Sequence, residues 1–478
     1  MTESPSQTPV SEVSAEVAGH AAVEGNGPRG RNRRLRVLFG TIDVASVPTR
    51  LALSLNEAGC SCRVVSTAQH PYHQQTAAGE RLQLAAGLFR FAIRCERYGM
   101  PGRFFARQLR TTTLLAIALW ATVAFDVVVI AGKFSFAPAC LDQWVLGKLG
   151  KRIVRIYLGT DSRPRYMSAL HDSVLKEGTR ERATNKLAHQ VKRQRQRLER
   201  AAAWADVVVD NPLAGLLQPR PFVNWFAIGF PHDDAFYPEP DHAEDHANDA
   251  GEMADGVRLL HSPSSPRNKG TAEIDAAIAQ LQSEGTAIDY DRITGVPRSE
   301  VFRRLRRCDA VVDQLYSDTP LAGFASEAAA FGKPVVVGGY GWDELARTTP
   351  ADLLAPSIAI DPADLVATLR SLAEDAGMRR QRGRALRSFV DGVWSKQAAA
   401  ERFLRIVEGD IDPSWIVDPQ AIDFWQGCGG PADHRRAVLE TLARTHGLDA
   451  LQLPPESPVR RTVAEWLAED SSSSDATT

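Results

Sequence analysis

"DTPLAGFASEAAAFGKPVVVGG", Asp318 to Gly339, opens on Asp318 and then places one further carboxylate, Glu327, inside a run of mostly apolar and small residues. The strand-like run "DAVVDQL" ends at Leu315 just before it, and Pro334 opens another such run after a Gly-Lys-Pro turn. The loop Tyr316 to Gly323 therefore leads into a helix that starts near Ala322 to Phe324 and stops at Gly332. The first N–H groups of a helix have no partner within it and attract an anion, most naturally a phosphate. Gly323 lets the backbone come close to such a ligand. A carboxylate one turn further in does not help bind phosphate, but it accepts hydrogen bonds from the two hydroxyls of a ribose, as the acidic residue of dinucleotide-binding folds does. The stretch reads as a seat for a nucleotide, with phosphates on the helix start and the sugar on Glu327.

Outward from this segment, short apolar runs alternate with helical ones. Before it come "VRLLHS", "TAEIDAAIAQLQSEG", "IDYDRITG" and "RSEVFRRLRRC"; after it the pattern continues to about Val407. The front half repeats the design with "RLRVLFGTID", "CRVVST", "DVVVIAG", "RIVRIYLG" and "DVVVD" as strands and a long basic helix over Lys186 to Ala203. Such alternation predicts an α/β fold whose parallel sheets are covered on both faces. Two successive halves of one type predict two facing Rossmann-like domains with a cleft between them. The expected organisation is a disordered tail over 1–32, an N-terminal Rossmann-like acceptor domain over 33–230, an acidic linker over 231–255, a C-terminal donor domain over 256–407 and an added helical segment over 408–478. Within that last segment, helices are expected near Ala432 to His446 and Val459 to Ala468, with a disordered end at "SSSSDATT".

The chain has 478 residues, of which 44% are hydrophobic and 24% charged, enough for two buried cores. Its net charge of −2 is unevenly spread: Arg33 to Arg220 carries 29 basic and 13 acidic residues, whereas Pro231 onward carries 25 basic and 41 acidic. A basic front suits an anionic partner, either a phosphorylated molecule or an anionic membrane surface, and a solvated Arg-rich surface is the plain alternative. The greasiest run, Leu114 to Gly132, is split by Asp126 into a helix of about twelve residues and a strand, too short to span a bilayer and expected to be buried. Six cysteines without a C-x-x-C pair predict reduced thiols in a cytoplasmic protein. The acids "DYD" at Asp289 to Asp291 and the histidines His232, His242 and His246 resemble metal ligands in type, but the former sit in a strand of the wrong architecture and the latter in the expected linker, so no metal is expected. The basic helix "KRQRQRLERAA" has no interleaved aromatic residues, and no nucleic-acid partner is expected.

The series "LLHSPSSPRNKG", "ITGVPRSEVFRRLRRCDAVVDQL" and "GFASEAAAFGKPVVVGG" resembles the C-terminal domain of the group 1 (family 4) glycosyltransferases of the GT-B fold. The front half resembles that family more loosely, through "RVLFGTID", "LGKLGKRIVRIYLGTDSR" and "ADVVVDNP". The resemblance implies retaining transfer of a sugar from a nucleoside diphosphate donor to a hydroxyl acceptor, with that donor as substrate and no separate cofactor. It implies that Lys269 grips the diphosphate and that Glu327 holds the ribose. The family's accompanying arginine falls on Ser264, leaving Arg267 as a substitute, and its first glutamate falls on Thr319. Gly295, Val296, Gly323 and Phe324 complete the expected donor site; Gly40, Thr41, Ile42 and Asp161 form the expected acceptor side. An acceptor that is phosphorylated or lipid-linked, at the inner membrane face, suits the basic front. The departures at Ser264 and Thr319 keep open a nucleotide-binding pseudo-glycosyltransferase with a regulatory or scaffold role, and a nucleotide-sugar epimerase is a third reading.

Overall fold

The structure is a computed structural model, which describes residues 34–67, 83–168, 170–237 and 256–475. The strands are β1 (Arg36–Gly40), β2 (Ser61–Val64), β3 (Val127–Ala131), β4 (Arg152–Ile156), β5 (Val207–Asp210), β6 (Phe222–Asn224), β7 (Val257–His261), β8 (Ile288–Arg292), β9 (Ala310–Gln314), β10 (Val335–Gly338), β11 (Ile358–Ile360) and β12 (Ile416–Val417). They form two sheets, ordered β12-β6-β5-β4-β3-β1-β2 and β11-β10-β9-β7-β8. Every pairing is parallel except that of β12, which runs antiparallel to β6 at the edge of the first sheet. This is the expected architecture of two Rossmann-like α/β domains.

Sheets covered on both faces need apolar residues in succession rather than alternation. In β9 and β10, Val311, Val335 and Val337 point into the larger core, while Val312 and Val336 point into a second core with Ile274, Leu281, Leu369 and Leu372. Chain order places the crevice of each domain. From β1 the chain passes to β2 on one side and then to β3 on the other; from β7 it passes to β8 and then β9. Ligands in open parallel sheets bind at such switch points, beyond the C-terminal strand ends. Arg163, after β4, meets Asp318, after β9, so these edges of the two sheets face one another.

The C-terminal part of the chain ties the halves together. The helix Lys396–Glu408 packs on the front-domain helix Val47–Glu57, and Phe403 lies 6.0 Å from Phe39. The two helices expected near the end are present as Ala432–His446 and Pro458–Asp475, the first packed against the long helix Arg180–Ala202.

Three expectations need correction. The helix before β3 spans 26 residues, Gly99–Ala124, and is buried on one side only; Ala106, Thr113, Ile117 and Ala121 face inward while Leu115, Leu119, Trp120 and Val123 are exposed. A run of apolar residues does not show which of them the fold leaves outside. Second, the start of the expected linker, Pro231 to Tyr237, is packed: His232 is buried and its backbone N–H donates to Trp394 O at 2.6 Å. Third, the last helix continues through Ser471 to Asp475, where a disordered end was expected. The expected tail over 1–32, the linker residues 238–255 with His242 and His246, and residues 476–478 lie outside the described residues.

Candidate active site

Lys269 ends the short helix Pro266–Lys269 that follows β7, and its carbonyl accepts from Leu315 N at 2.9 Å, which ties it to the end of β9. Gly270 then turns with φ 69°, and a Cβ there would come within 2.7 Å of the Leu315 Cβ, so only glycine lets the helix approach the strand. The result is a lysine standing in the β7/β9 crevice. Its Nζ lies 3.3 Å from Asp313 Oδ1, and the fully buried Asp313 has no partner for its other oxygen among the described residues.

Glu327 lies in the helix Gly323–Ala330, whose first turn has no side-chain cap. Its Oε1 accepts from Arg298 Nε at 3.0 Å and lies 2.8 Å from the Arg298 Nη2, leaving Oε2 without a hydrogen bond among the described residues. Arg298 therefore points the carboxylate and leaves one oxygen to accept from a ligand hydroxyl. Arg298 was not singled out in the sequence, although it stands in the "ITGVPRSEV" stretch. Gly295 and Val296, in the same stretch, lie between β8 and the helix Arg298–Arg307, with Gly295 at φ 68°.

The loop between β9 and Gly323 is held rigidly. Ser317 Oγ accepts from Gln314 Nε2 at 2.6 Å and donates to Thr319 O at 2.8 Å. Asp318 is buried against Arg163, and its carbonyl accepts from Asn211 Nδ2 at 3.0 Å. Thr319 Oγ1 is buried with no partner among the described residues. Ser264 is exposed, and Arg267 pairs with Asp172 of the front domain instead of turning toward Lys269.

On the front side, Gly40 ends β1 beneath the Phe136 ring, and the hydroxyl of the next residue, Thr41, donates to Phe134 O at 3.4 Å. Ile42 and the Asp161 carboxylate both lie over the end of β3, since a Cβ placed on Gly132 would meet Asp161 Oδ2 at 3.0 Å and Ile42 Cδ1 at 3.7 Å. Gly40, Thr41, Ile42 and Asp161 thus come together at the β1/β3 crevice. Burial pushes the Asp161 carboxyl above its ordinary value, against the pull of Lys133, Arg197 and Arg155. Arg155, itself buried within β4, shapes this rim by donating to Gly132 O at 2.6 Å and Phe134 O at 3.3 Å.

A third element enters from the C-terminal segment. The loop Trp425 to Gly430 runs between the lobes: Cys428 N donates to Met167 O at 3.0 Å, and Gly429 N donates to Tyr316 O at 3.0 Å. Gly427, at φ 68°, has Met167 O only 2.4 Å from where a Cβ would stand. The buried Arg435 fixes the loop by donating to Gln426 O and Cys428 O, each at 3.1 Å. Removal from water pushes the Cys428 thiol up, against Arg163 and Lys269 nearby. The sequence carried one signal for this, a Gly-Cys-Gly-Gly run just before the helix Ala432–His446.

Asp210, at the end of β5, is buried beside Arg163 and accepts from Gln218 Nε2 at 2.6 Å, Ser162 Oγ at 2.7 Å and Asn211 N at 2.8 Å. Burial outweighs these donors and raises its pKa to about 7. A raised carboxyl pKa stabilises the fold below the unfolded value, near 4, and that contribution is lost as pH rises through about 7. Asp210→Asn is expected to flatten this decline, because the Gln218 Oε1 has no partner among the described residues and its amide turns to receive the new donor. Urea midpoints at acid and mildly alkaline pH check it: the parent is to lose more stability across that range than the variant.

Asp291 of the "DYD" run pairs with Arg304, and Tyr290 donates to Asp275 at 2.8 Å. No family model matches the chain, and no curated protein matches it. Among solved structures it is similar to sucrose-phosphate synthase from Thermosynechococcus elongatus, at 15% identity over 79% of this chain and 99% of that one, with a TM-score of 0.45. It is also similar to the catalytic domain of starch synthase IV from Arabidopsis thaliana bound to ADP and acarbose, at 12% identity over 78% and 99% of the chains, with a TM-score of 0.48. A third is Anabaena Alr3699/HepE in complex with UDP-glucose, at 11% identity over 79% and 100%, with a TM-score of 0.43.

Proposed function

We propose that this protein is a GT-B glycosyltransferase of the group 1 (family 4) kind, which moves a sugar with retention from a nucleoside diphosphate donor to a hydroxyl acceptor. The observation that carries the reading is the half-occupied Glu327: Arg298 holds one carboxylate oxygen while the other is left to accept, one turn inside an uncapped helix start in the donor domain. The diphosphate rests on that helix start and on Lys269, whose charge offsets the negative charge that builds on the leaving group. The ribose hydroxyls bond Glu327. The acceptor enters from the β1/β3 crevice, past Gly40 to Ile42 and Asp161.

Nucleoside diphosphates and their sugar conjugates are expected to raise the melting temperature of the parent protein by several degrees at concentrations well above Kd. Glu327→Ala is expected to lose that rise with no change in the unliganded melt beyond the small loss of its pair with Arg298. A rise that survives intact in the variant removes the nucleotide seat from this helix. Retention is read from the anomeric configuration of the product, which is to match that of the donor.

A second reading, a nucleotide-binding protein without transfer, is favoured by Thr319 and Ser264 and by the loop Trp425 to Gly430 between the lobes. Slow release of free sugar from the donor without acceptor separates the two, since a binder without transfer releases none.

A further inference from the structure

The helices Gln83–Cys95 and Gly99–Ala124 form a pair between β2 and β3, packed on each other. The inner face of the longer helix is already satisfied by Ala106, Thr113, Ile117 and Ala121, which are buried. Its outer face is nonetheless apolar. Leu115, Leu119 and Val123 recur every fourth residue and so share one side, with Leu119 70% and Val123 73% exposed. Met100 and Phe104 are exposed nearer the start of the helix, beyond the polar Gln108, Thr111 and Thr112, and Trp120 flanks the row. The apolar surface extends onto the neighbouring helix Leu141–Lys148 through the exposed Leu141 and Trp144. A monomer gains nothing by exposing so many large apolar side chains on one pair of helices, and such a surface is one that docks.

The charges around it define what docks. Arg90, Arg94, Arg103 and Arg107 on the two helices and Arg97 in the turn between them are exposed and make no ion pair among the described residues. The acid on this pair is Glu96, which is already bridged to Arg110 at 2.8 Å. A second copy of the chain is disfavoured as the occupant, because a two-fold interface sets the same patch against itself and would oppose five arginines to five. Large apolar side chains among arginines, on a helix lying flat, match instead the boundary of an anionic bilayer: the apolar row enters the acyl edge and the arginines meet the headgroups. Among the described residues no helix is long and apolar enough to cross a membrane.

We propose that the outer face of this helical pair seats the protein on an anionic lipid surface. The inference stands independently of the transferase reading, since its test reads binding and not activity. The intact chain is floated with vesicles of phosphatidylcholine alone and with vesicles containing about one-third phosphatidylglycerol. Strong partitioning to the anionic vesicles, weak partitioning to the neutral ones and weakening by salt are expected. Phe104→Ser with Leu119→Ser is expected to lower partitioning at least about tenfold, and Arg103→Ala with Arg107→Ala by about fivefold per arginine. All four side chains are exposed, so the melts are to stay unchanged. The proposal is overturned if the chain floats with neither vesicle, or if binding ignores both pairs of substitutions. It is also overturned if sedimentation shows a dimer that Leu119→Ser disperses while vesicle binding is absent.

Discussion

Arg163→Ala is expected to destabilise the protein by about 3–5 kcal/mol, the cost of leaving a buried charge without its partner. Arg163 and Asp318 are 5% and 4% exposed, and among the described residues no other cation bonds the Asp318 carboxylate. Burial works against the Arg163 charge, but Asp318 overrides it and raises the guanidinium pKa. The two residues are 155 positions apart and belong to different lobes, so their pairing joins the C-terminal edges of both sheets. Removing the arginine strands Asp318 at the start of the loop that leads to Glu327. Chemical denaturation is to show the lost stability as a lower midpoint. Arg163→Met combined with Asp318→Leu is expected to recover most of it, since apolar replacements of similar volume often match a buried pair. If the double variant is as unstable as the single one, the pair is not what joins the lobes at this edge.

Lys269→Ala is expected to lower turnover by about 10²–10³-fold, the usual effect of removing one preorganised group aimed at developing charge. The variant also leaves the buried Asp313 with neither oxygen paired among the described residues, which costs roughly 1–3 kcal/mol. These two consequences separate experimentally. Adding Asp313→Asn removes the stranded charge and is expected to restore stability but not turnover. Recovery of both would reduce Lys269 to a structural counter-ion and move the leaving-group contact elsewhere.

Much of the second half was legible in the sequence. Strand β9, the loop after it, the helix around Glu327 and strand β10 lie where their apolar runs and the Gly-Lys-Pro turn place them. These features depend on neighbours within a few residues, through backbone sterics and hydrogen bonds that repeat at fixed spacing. The position of Lys269 was legible for the same reason, since a lysine after a strand and before Gly270 has little choice of place. The partner of Glu327 was not, although Arg298 is only 29 positions away. Helix Arg298–Arg307 carries several arginines, and its sequence does not mark which one turns toward a neighbouring helix.

What the sequence alone determined is the class of fold, the alternation of strands and helices, and the loop, helix and strand around Glu327. Each follows from short-range periodicity. What only the tertiary structure decided is the ion pair between the lobes, the glycine-rich loop threaded between them, the burial of His232 and the apolar face left outside on Gly99–Ala124. These depend on which surfaces meet when distant parts of the chain pack together. An arginine or a leucine has the same local preferences whether it ends against a partner or in solvent.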